Sequence, residues 1–261
     1  MRIGAYQFKV IGDIEYNFSI IKRAIYSAVE KSVRVLVFPE CALTGYPPRD
    51  MESSMVVDFM KLEEVYKQLQ ELSNNNDICI IVGSIIREND TYFNSAVAFC
   101  PYQEKNYYYK RALWGWDKDN FSSKNSNGII NIDGWKFGIR ICFEVRFPEF
   151  FRELYSNNTD LNIILFYDVS DCDDKERYDL IKAHIRTRAV ENVTYTLSVD
   201  AVSPYQTAPT VLFDRSGYIL AELERNDENM LIYDLEKTIP DFGENGRIEI
   251  SDWLTKNKLE G

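Results

Sequence analysis

An apolar strand runs directly into charged sequence at Gly138-Ile139-Arg140-Ile141-Cys142-Phe143-Glu144-Val145-Arg146-Phe147-Pro148-Glu149. We interpret Cys142, the last residue of that strand, as a candidate nucleophile. At a strand end before a helix, backbone N–H groups and the helix N-terminus favour the thiolate form of a cysteine. The alternative is that Cys142 is one of five small buried apolar residues without a chemical role. Suitable partners elsewhere in the chain must decide between the two.

The usual base beside a cysteine nucleophile is histidine, and this chain has a single one, His184. It lies in the helical run 179–192, where no Asn or Asp stands out to orient it. A Cys142–His184 hydrolase is therefore the weaker interpretation. Carboxylate and lysine side chains become the stronger candidates for the base and for the cation that meets developing negative charge.

Two strand ends supply such groups. The buried-type strand 33–38 is followed by Pro-Glu and a Gly/Pro loop, which places the Glu40 carboxylate at the end of a strand. The aromatic run 105–114 places Lys110 at the end of another. Each residue alone could be a surface charge that caps its strand.

Taken together, these segments resemble the nitrilase, or carbon-nitrogen hydrolase, superfamily, in which Glu, Lys and Cys act in that order along the chain. The order here is Glu40, Lys110, Cys142. The resemblance covers most of the sequence. Its further motifs are Leu43-Thr44-Gly45-Tyr46, Lys110-Arg111-Ala112-Leu113, Phe143-Glu144-Val145-Arg146-Phe147-Pro148-Glu149, Arg188-Ala189-Val190-Glu191-Asn192 and Asp214-Arg215-Ser216-Gly217.

The resemblance implies a reaction. Glu40 would take the thiol proton of Cys142, while Lys110 and the backbone N–H of Phe143 would hold the oxyanion. A thioester would follow, and water activated by Glu40 would hydrolyse it. Neither a cofactor nor a metal is expected. Burial would raise the pKa of Glu40 and Lys110 would lower it, so the sequence leaves the direction open.

Three loop residues complete the expected site. Family members carry a second active-site Glu where this chain has Asp117, so contact with Lys110 is expected to be longer or to pass through water. The alternative for Asp117 is an exposed loop residue. Tyr46 and Trp116 are expected to border the substrate pocket. We expect structural ion pairs rather than catalysis from five other charged residues, Glu144, Arg146, Glu149, Arg188 and Glu191.

The expected substrate is a small carboxamide of the ω-amide type, converted to a carboxylate and ammonia. N-carbamoyl amines and nitriles are the other substrate classes of the superfamily. The segment 43–48 also resembles the glutaminase domain of glutamine-dependent NAD synthetases, and the chain has no room for a synthetase. A free-standing glutaminase subunit is thus an alternative, as is a catalytically silent binding or regulatory protein of the same fold.

Composition narrows the class of partners and the compartment. A net charge of −11 would repel nucleic acid and anionic membrane surfaces. Five cysteines without repeated close spacing fit neither a disulfide framework nor a zinc site, which indicates a reducing compartment. The N-terminus has no signal-peptide pattern, and no run of about 18 apolar residues occurs. We therefore expect a cytoplasmic protein.

The pattern of elements predicts an α/β fold. Strand-like and helical segments alternate up to residue 72, strands then follow strands, and 128–142 reads as a hairpin around Asp133-Gly134. Helices are predicted at 147–155 and 175–192, and 114–127 is predicted to be a loop. A length of 261 residues suits one domain, 1–261. The family resemblance implies a four-layer α-β-β-α sandwich that forms a homodimer or a higher homo-oligomer.

Overall fold

The computed structural model describes residues 1–257, so the last four residues of the expected domain lie outside it. The helices are α1 (Ile14–Glu30), α2 (Phe59–Asn76), α3 (Trp116–Asn120), α4 (Pro148–Ser156), α5 (Lys175–Asn192) and α6 (Phe242–Asn257). Residues Ser54–Val56 and Cys142–Arg146 form short 3-10 turns. The strands are β1 (Arg2–Gln7), β2 (Val35–Val37), β3 (Cys79–Glu88), β4 (Thr91–Phe99), β5 (Asn106–Tyr109), β6 (Ile129–Ile132), β7 (Trp135–Ile141), β8 (Leu161–Phe166), β9 (Val169–Ser170), β10 (Tyr195–Asp200), β11 (Tyr205–Gln206), β12 (Val211–Phe213), β13 (Ile219–Glu222) and β14 (Asn229–Asp234).

Two six-stranded mixed sheets form the centre of the molecule. The first has the order β14-β1-β2-β3-β4-β5, and the second has the order β13-β12-β10-β8-β7-β6. In the first, β1, β2 and β3 are parallel, and in the second β7, β8 and β10 are parallel. Loops that leave the carboxyl ends of parallel strands cluster at one edge, which is where binding sites form in such sheets.

Apolar side chains that alternate along the strands explain why each sheet packs against helices on one face and against the other sheet on its second face. Ile80 and Val82 on β3 face the cluster that includes α1 and α2, whereas Cys79 and Ile81 face the space between the two sheets. A strand buried on both faces presents successive side chains to opposite layers. The outer face of the second sheet packs against α4 and α5. The predicted four-layer α-β-β-α sandwich is confirmed.

The hairpin prediction is also confirmed. Strands β6 and β7 pair as neighbours, and Asp133 and Gly134 between them have φ values of +49° and +78°. Two successive left-handed residues form the tight turn whose twist matches that of paired strands. The hairpin delivers Cys142 directly after β7.

Several elements differ from prediction, and the strand expected to end at Cys142 ends at Ile141. Helix α2 continues through its Asn-rich end to Asn76, because Asp77 adopts the left-handed conformation that stops a helix there. The expected loop 114–127 contains α3. The sequence analysis also did not identify α6, whose first turns carry Gly243 and Gly246, residues that disfavour helix.

The expectation that no cysteines pair is wrong. Cys79 and Cys100 lie opposite each other on neighbouring antiparallel chain segments, with Cα atoms 4.2 Å apart, and form a disulfide. Sequence spacing did not indicate it, because strand register rather than proximity in the chain brings the two residues together. Cys41, Cys142 and Cys172 are free.

None of the helices within residues 1–257 combines the length and the apolar character needed to cross a membrane.

Candidate active site

Cys142 opens the 3-10 turn that follows β7. Its φ of +47° lies in the left-handed region, which L residues seldom adopt unless their surroundings hold them there. Glu144 supplies that hold. Its fully buried carboxylate accepts the N–H of Ile141 at 2.7 Å and the N–H of Arg111 at 2.8 Å. The turn that carries Cys142 is thereby fixed to the end of β5.

The ion pairs expected of Glu144, Arg146 and Glu149 are absent from residues 1–257. Besides backbone N–H groups, Glu144 accepts the hydroxyl of Tyr108 at 2.8 Å, so hydrogen bonds replace the expected ion pair. Arg146 and Glu149 also form no ion pair within residues 1–257.

The ion pair expected on the long helix is present. Arg188 contacts Glu191 at 2.7 Å, and its Nε donates to the carbonyl oxygen of Val145 at 2.9 Å. Arg188 therefore also braces the Cys142–Arg146 turn from the side of α5.

Glu40 lies just beyond β2 with only 1% of its surface exposed. Its Oε1 accepts Lys110 Nζ at 2.8 Å and Asn94 Nδ2 at 2.6 Å, and its Oε2 accepts the N–H of Tyr167 at 2.9 Å. A Cβ at Gly83 would meet the carbonyl oxygen of residue 39 at 2.2 Å, so only glycine lets the two segments approach this closely. The carboxylate is held by donors from three different segments of chain.

Lys110 lies between two carboxylates. Its Nζ, on a residue 2% exposed, is 2.8 Å from Glu40 Oε1 and 2.8 Å from Asp117 Oδ2. Asp117 is itself only 3% exposed, and its Oδ1 accepts the hydroxyl of Tyr46 at 2.8 Å. The expectations of an exposed Asp117, or of a longer contact, are wrong. From its place in helix α3, the shorter Asp side chain reaches Lys110 directly.

Burial decides the direction that the sequence left open for Glu40. It raises the pKa of Glu40, while Lys110 and Asn94 oppose the change. Although burial lowers it, the neighbouring Glu40 and Asp117 carboxylates raise the pKa of Lys110 well above its usual range. Lys110 is therefore an ammonium ion at neutral pH.

The expectation of a depressed thiol pKa is wrong. Burial, followed by the negative charge of Glu40, raises the pKa of Cys142 well above its ordinary value, and Lys110 opposes the change. The resting group is the thiol, so chemistry at this sulfur would require a base to remove its proton. Glu40 and Lys110 lie close enough to Cys142 for their charges to act on it.

The sequence model of the family described as Carbon-nitrogen hydrolase matches residues 2–240. This chain belongs to the carbon-nitrogen hydrolase family. The resemblance identified from the sequence is confirmed.

The relatives of this carbon-nitrogen hydrolase are distant. It is 24% identical over 255 residues to a glutamine-dependent NAD(+) synthetase of Aquifex aeolicus, covering 93% of this chain but 42% of that one. It is 22% identical over 258 residues to a deaminated glutathione amidase of Dictyostelium discoideum, covering 90% and 87%. A 2-oxoglutaramate amidase of Bacillus subtilis is 24% identical over 205 residues, covering 76% of each.

Solved structures share the fold. An amidase from Nesterenkonia sp. AN1 superposes with a TM-score of 0.82 at 20% identity, covering 98% of this chain and 99% of that one. A Glu-to-Gln mutant of that amidase, described as showing Michael addition of acrylamide at the active site cysteine, gives a TM-score of 0.80 at 20% identity, with 97% and 99% covered.

The residues expected to border the pocket differ in burial and in their contacts with the site. Tyr46 is half-buried, stacks on Tyr167 at 5.2 Å and contacts Asp117. Trp116 is 53% exposed, and within residues 1–257 its side chain makes neither a hydrogen bond nor a ring contact with these groups. Phe143 is the second residue of its 3-10 turn, a position whose N–H finds no partner inside the turn.

His184 lies outside this constellation. Burial, then the charges of Arg146 and Arg188, lower the pKa of His184. The charged groups that act on Cys142 are carboxylates and Lys110, and His184 is not among them. The Cys142–His184 alternative therefore has no geometric support.

Sequence reasoning missed four residues around the site. Asn94 and Tyr167 contact Glu40, and Asp168, paired with Arg177 at 2.9 Å, adds to the rise in the pKa of Cys142. The usable signal for Asn94 was a polar side chain inside an otherwise apolar strand. Tyr167 acts through its backbone N–H, which no side-chain pattern reveals.

Proposed function

We propose that this protein is an amidase that hydrolyses a small carboxamide to a carboxylate and ammonia. The observation that carries the proposal is the Lys110 ammonium, held 2.8 Å from both Glu40 and Asp117 beside the Cys142 thiol. A buried cation next to a thiol and a base is the combination that thiol addition to a carbonyl requires.

In the first half-reaction, Glu40 accepts the thiol proton as Cys142 sulfur bonds to the carbonyl carbon. The carbonyl π electrons move to oxygen, where Lys110 and the N–H of Phe143 stabilise the oxyanion. The oxyanion then reforms the carbonyl, the C–N bond breaks, and Glu40 gives its proton to the leaving ammonia. The half-reaction ends with a thioester on Cys142, a free ammonia molecule and Glu40 as a carboxylate again, so atoms and charge balance.

In the second half-reaction, Glu40 takes a proton from water while the water oxygen adds to the thioester carbon. Collapse of this tetrahedral species breaks the C–S bond, and the proton returns to the sulfur of Cys142. The raised pKa of Glu40 suits both roles, because a weak acid is also a better base. We infer that Asp117 assists by fixing Lys110.

An ω-amide acid, which carries a carboxylate at the end remote from the amide, is our first candidate substrate. Arg177 supports it. Asp168 accepts Nε and Nη2 of Arg177 at 2.9 Å each, whereas Nη1 makes no hydrogen bond within residues 1–257. Although burial lowers it, Asp168 raises the pKa of Arg177, and Cys142 adds to that rise, so the charge of Arg177 and that of Cys142 interact.

The names of two relatives agree with that choice, since 2-oxoglutaramate and glutamine are both ω-amides of carboxylic acids. A glutaminase that passes ammonia to a separate protein is the second candidate, because the match with the NAD(+) synthetase covers 93% of this chain. N-carbamoyl amines, nitriles and a silent binding protein stay as alternatives.

An ammonia-release screen over succinamate, glutamine, butyramide, N-carbamoyl amines and nitriles tests the function. We expect release from amides by the wild type and none by Cys142→Ala. Cys172→Ala, which removes another free and exposed cysteine, is the matched control and should stay active. Release confined to carbamoyl compounds or nitriles, or no release at all, would contradict the amidase proposal.

We further propose a homodimer or higher homo-oligomer. On α6, Ile250, Trp253 and Leu254 are exposed and spaced three and four residues apart, so they form one apolar face. Exposed apolar faces of this kind mark association surfaces.

We propose a cytoplasmic location, and the Cys79–Cys100 disulfide is the observation that opposes it. Trapping the thiols of the protein in intact cells, followed by mass spectrometry, would measure the state of this pair. An oxidised pair in the native host would favour an oxidising compartment.

A further inference from the structure

The two carboxylate oxygens of Glu40 accept different numbers of hydrogen bonds. Oε1 accepts both Lys110 Nζ at 2.8 Å and Asn94 Nδ2 at 2.6 Å, whereas among residues 1–257 Oε2 accepts only the N–H of Tyr167. A carboxylate oxygen offers about two lone-pair directions. Oε1 is therefore fully occupied, and the free basic lone pair belongs to Oε2.

Asn94 contributes to this asymmetry twice. Its side chain, on a residue 1% exposed, donates to Glu40, and its main-chain carbonyl oxygen accepts the N–H of Lys110 at 2.8 Å. One residue of β4 thus sets the positions of both charged groups. Its side chain lies on the interior face of β4, in the row of Ala96 and Ala98.

Cys41 supports the orientation in which the NH2 end of the Asn94 amide faces Glu40. Its fully buried Sγ donates to Asn94 Oδ1 at 3.8 Å. Burial, then the charge of Glu40, raise the pKa of Cys41 well above its usual value, so the group stays an S–H donor. A flipped amide would place its oxygen 2.6 Å from the carboxylate, two acceptors in contact, and would face its NH2 group toward the S–H donor.

We propose that Asn94, oriented by Cys41, is a positioning residue that occupies Oε1 of Glu40 and thereby directs proton transfer with Cys142 to Oε2. The inference rests on the proposed role of Glu40 as the base. Cys41, which follows the catalytic carboxylate in the sequence and takes no part in the reaction itself, gains a function from it.

The test compares Asn94→Leu with Asn162→Leu, a second buried Asn that lies at the start of β8. Because the Asn94 donor stabilises the ionised carboxylate, its loss should raise the pH of the acid limb of kcat/KM by about 1–2 units. We expect kcat to fall about 10–100-fold at neutral pH. Asn162→Leu should keep the wild-type pH profile.

A second pair of variants guards against misfolding. Cys41→Ser retains a donor toward Asn94 and should match the wild type, whereas Cys41→Ala should shift the acid limb in the same direction by a smaller amount. An unshifted acid limb in a folded Asn94→Leu variant, or equal shifts in Cys41→Ser and Cys41→Ala, would overturn the proposal.

The rate of Cys142 alkylation by iodoacetamide, followed peptide by peptide against pH, separates this inference from the proposed activity. It needs no turnover, because the thiol proton must still leave toward Glu40. If no amide is hydrolysed but the alkylation profile shifts in Asn94→Leu and not in Asn162→Leu, the amidase proposal fails and the positioning role stands. Coincident alkylation profiles would refute the positioning role.

Discussion

The Lys110 ammonium is buried against two carboxylates, which determines what its replacement should do. If it stabilises the oxyanion, its interaction strengthens in the transition state, so Lys110→Met should lower kcat far more than it raises KM. Loss of one oxyanion donor costs about 10²–10³ in rate, and a buried charged donor should cost at least that.

Lys110→Arg is the companion variant, and it should not restore activity, because a planar guanidinium does not fit where a compact ammonium contacts two carboxylates. Steady-state kinetics on folded variants provides the measurement. A change confined to KM, or full activity in Lys110→Met, would remove Lys110 from the reaction.

Glu40 and His184 give opposite expectations. Glu40→Gln keeps the shape but removes the base, and we expect nearly all turnover to disappear. His184→Ala should keep most of the turnover, since the charged groups that act on Cys142 do not include His184. Ammonia release by both purified variants shows which residue is the base. An inactive but folded His184→Ala variant, together with an active Glu40→Gln variant, would contradict the proposed mechanism.

Arg177 tests the choice of substrate. Arg177→Met should raise KM for succinamate at least about tenfold, because a charge-assisted hydrogen bond contributes about 1.5–3 kcal/mol. KM for butyramide, which has no carboxylate, should stay within about twofold of the wild-type value. Equal effects on the two amides would mean that Arg177 only supports the Asp168 loop.

At the scale of elements, the 3-10 turn after β7 depends on one buried carboxylate. Glu144→Gln would turn an amide NH2 toward donors that now contact a carboxylate oxygen. A buried donor left without a partner costs about 1–3 kcal/mol, so we expect a loss of at least about 2 kcal/mol in the free energy of unfolding.

Glu149→Gln, on the exposed start of α4, is the matched control and should change that free energy by less than about 0.5 kcal/mol. Denaturant titration of both variants measures the difference. Similar stability for the two would show that the turn is held by something other than Glu144.

At the scale of the whole molecule, α6 presents the apolar face that we assign to association between copies. A charge in the middle of such a face must lose its hydration on association, so Trp253→Arg should shift the protein toward monomer. Met60→Arg, at an exposed residue on α2, is the control and should not. Sedimentation velocity at several concentrations reports the distribution, and an unchanged oligomer in Trp253→Arg would exclude this face.

The sequence by itself determined the α/β class, the hairpin before Cys142 and the order Glu40, Lys110, Cys142. These features are local. Alternation of apolar residues defines a strand, and an Asp-Gly pair defines the turn of a hairpin. A charged residue after an apolar run marks where a strand ends. The family resemblance then supplied the four layers, which the structure confirms.

Only the tertiary structure decided how these groups are held and which way they titrate. Asn94 reaches Glu40 across 54 residues of sequence, Tyr167 across 127, and the burial of Asp117 depends on Tyr46 and Lys110 from other segments. The raised pKa of Cys142 has the same origin, because desolvation and neighbouring charge are properties of the packed surroundings. Such effects arise from atoms that the fold brings together, so no local pattern in the chain contains them.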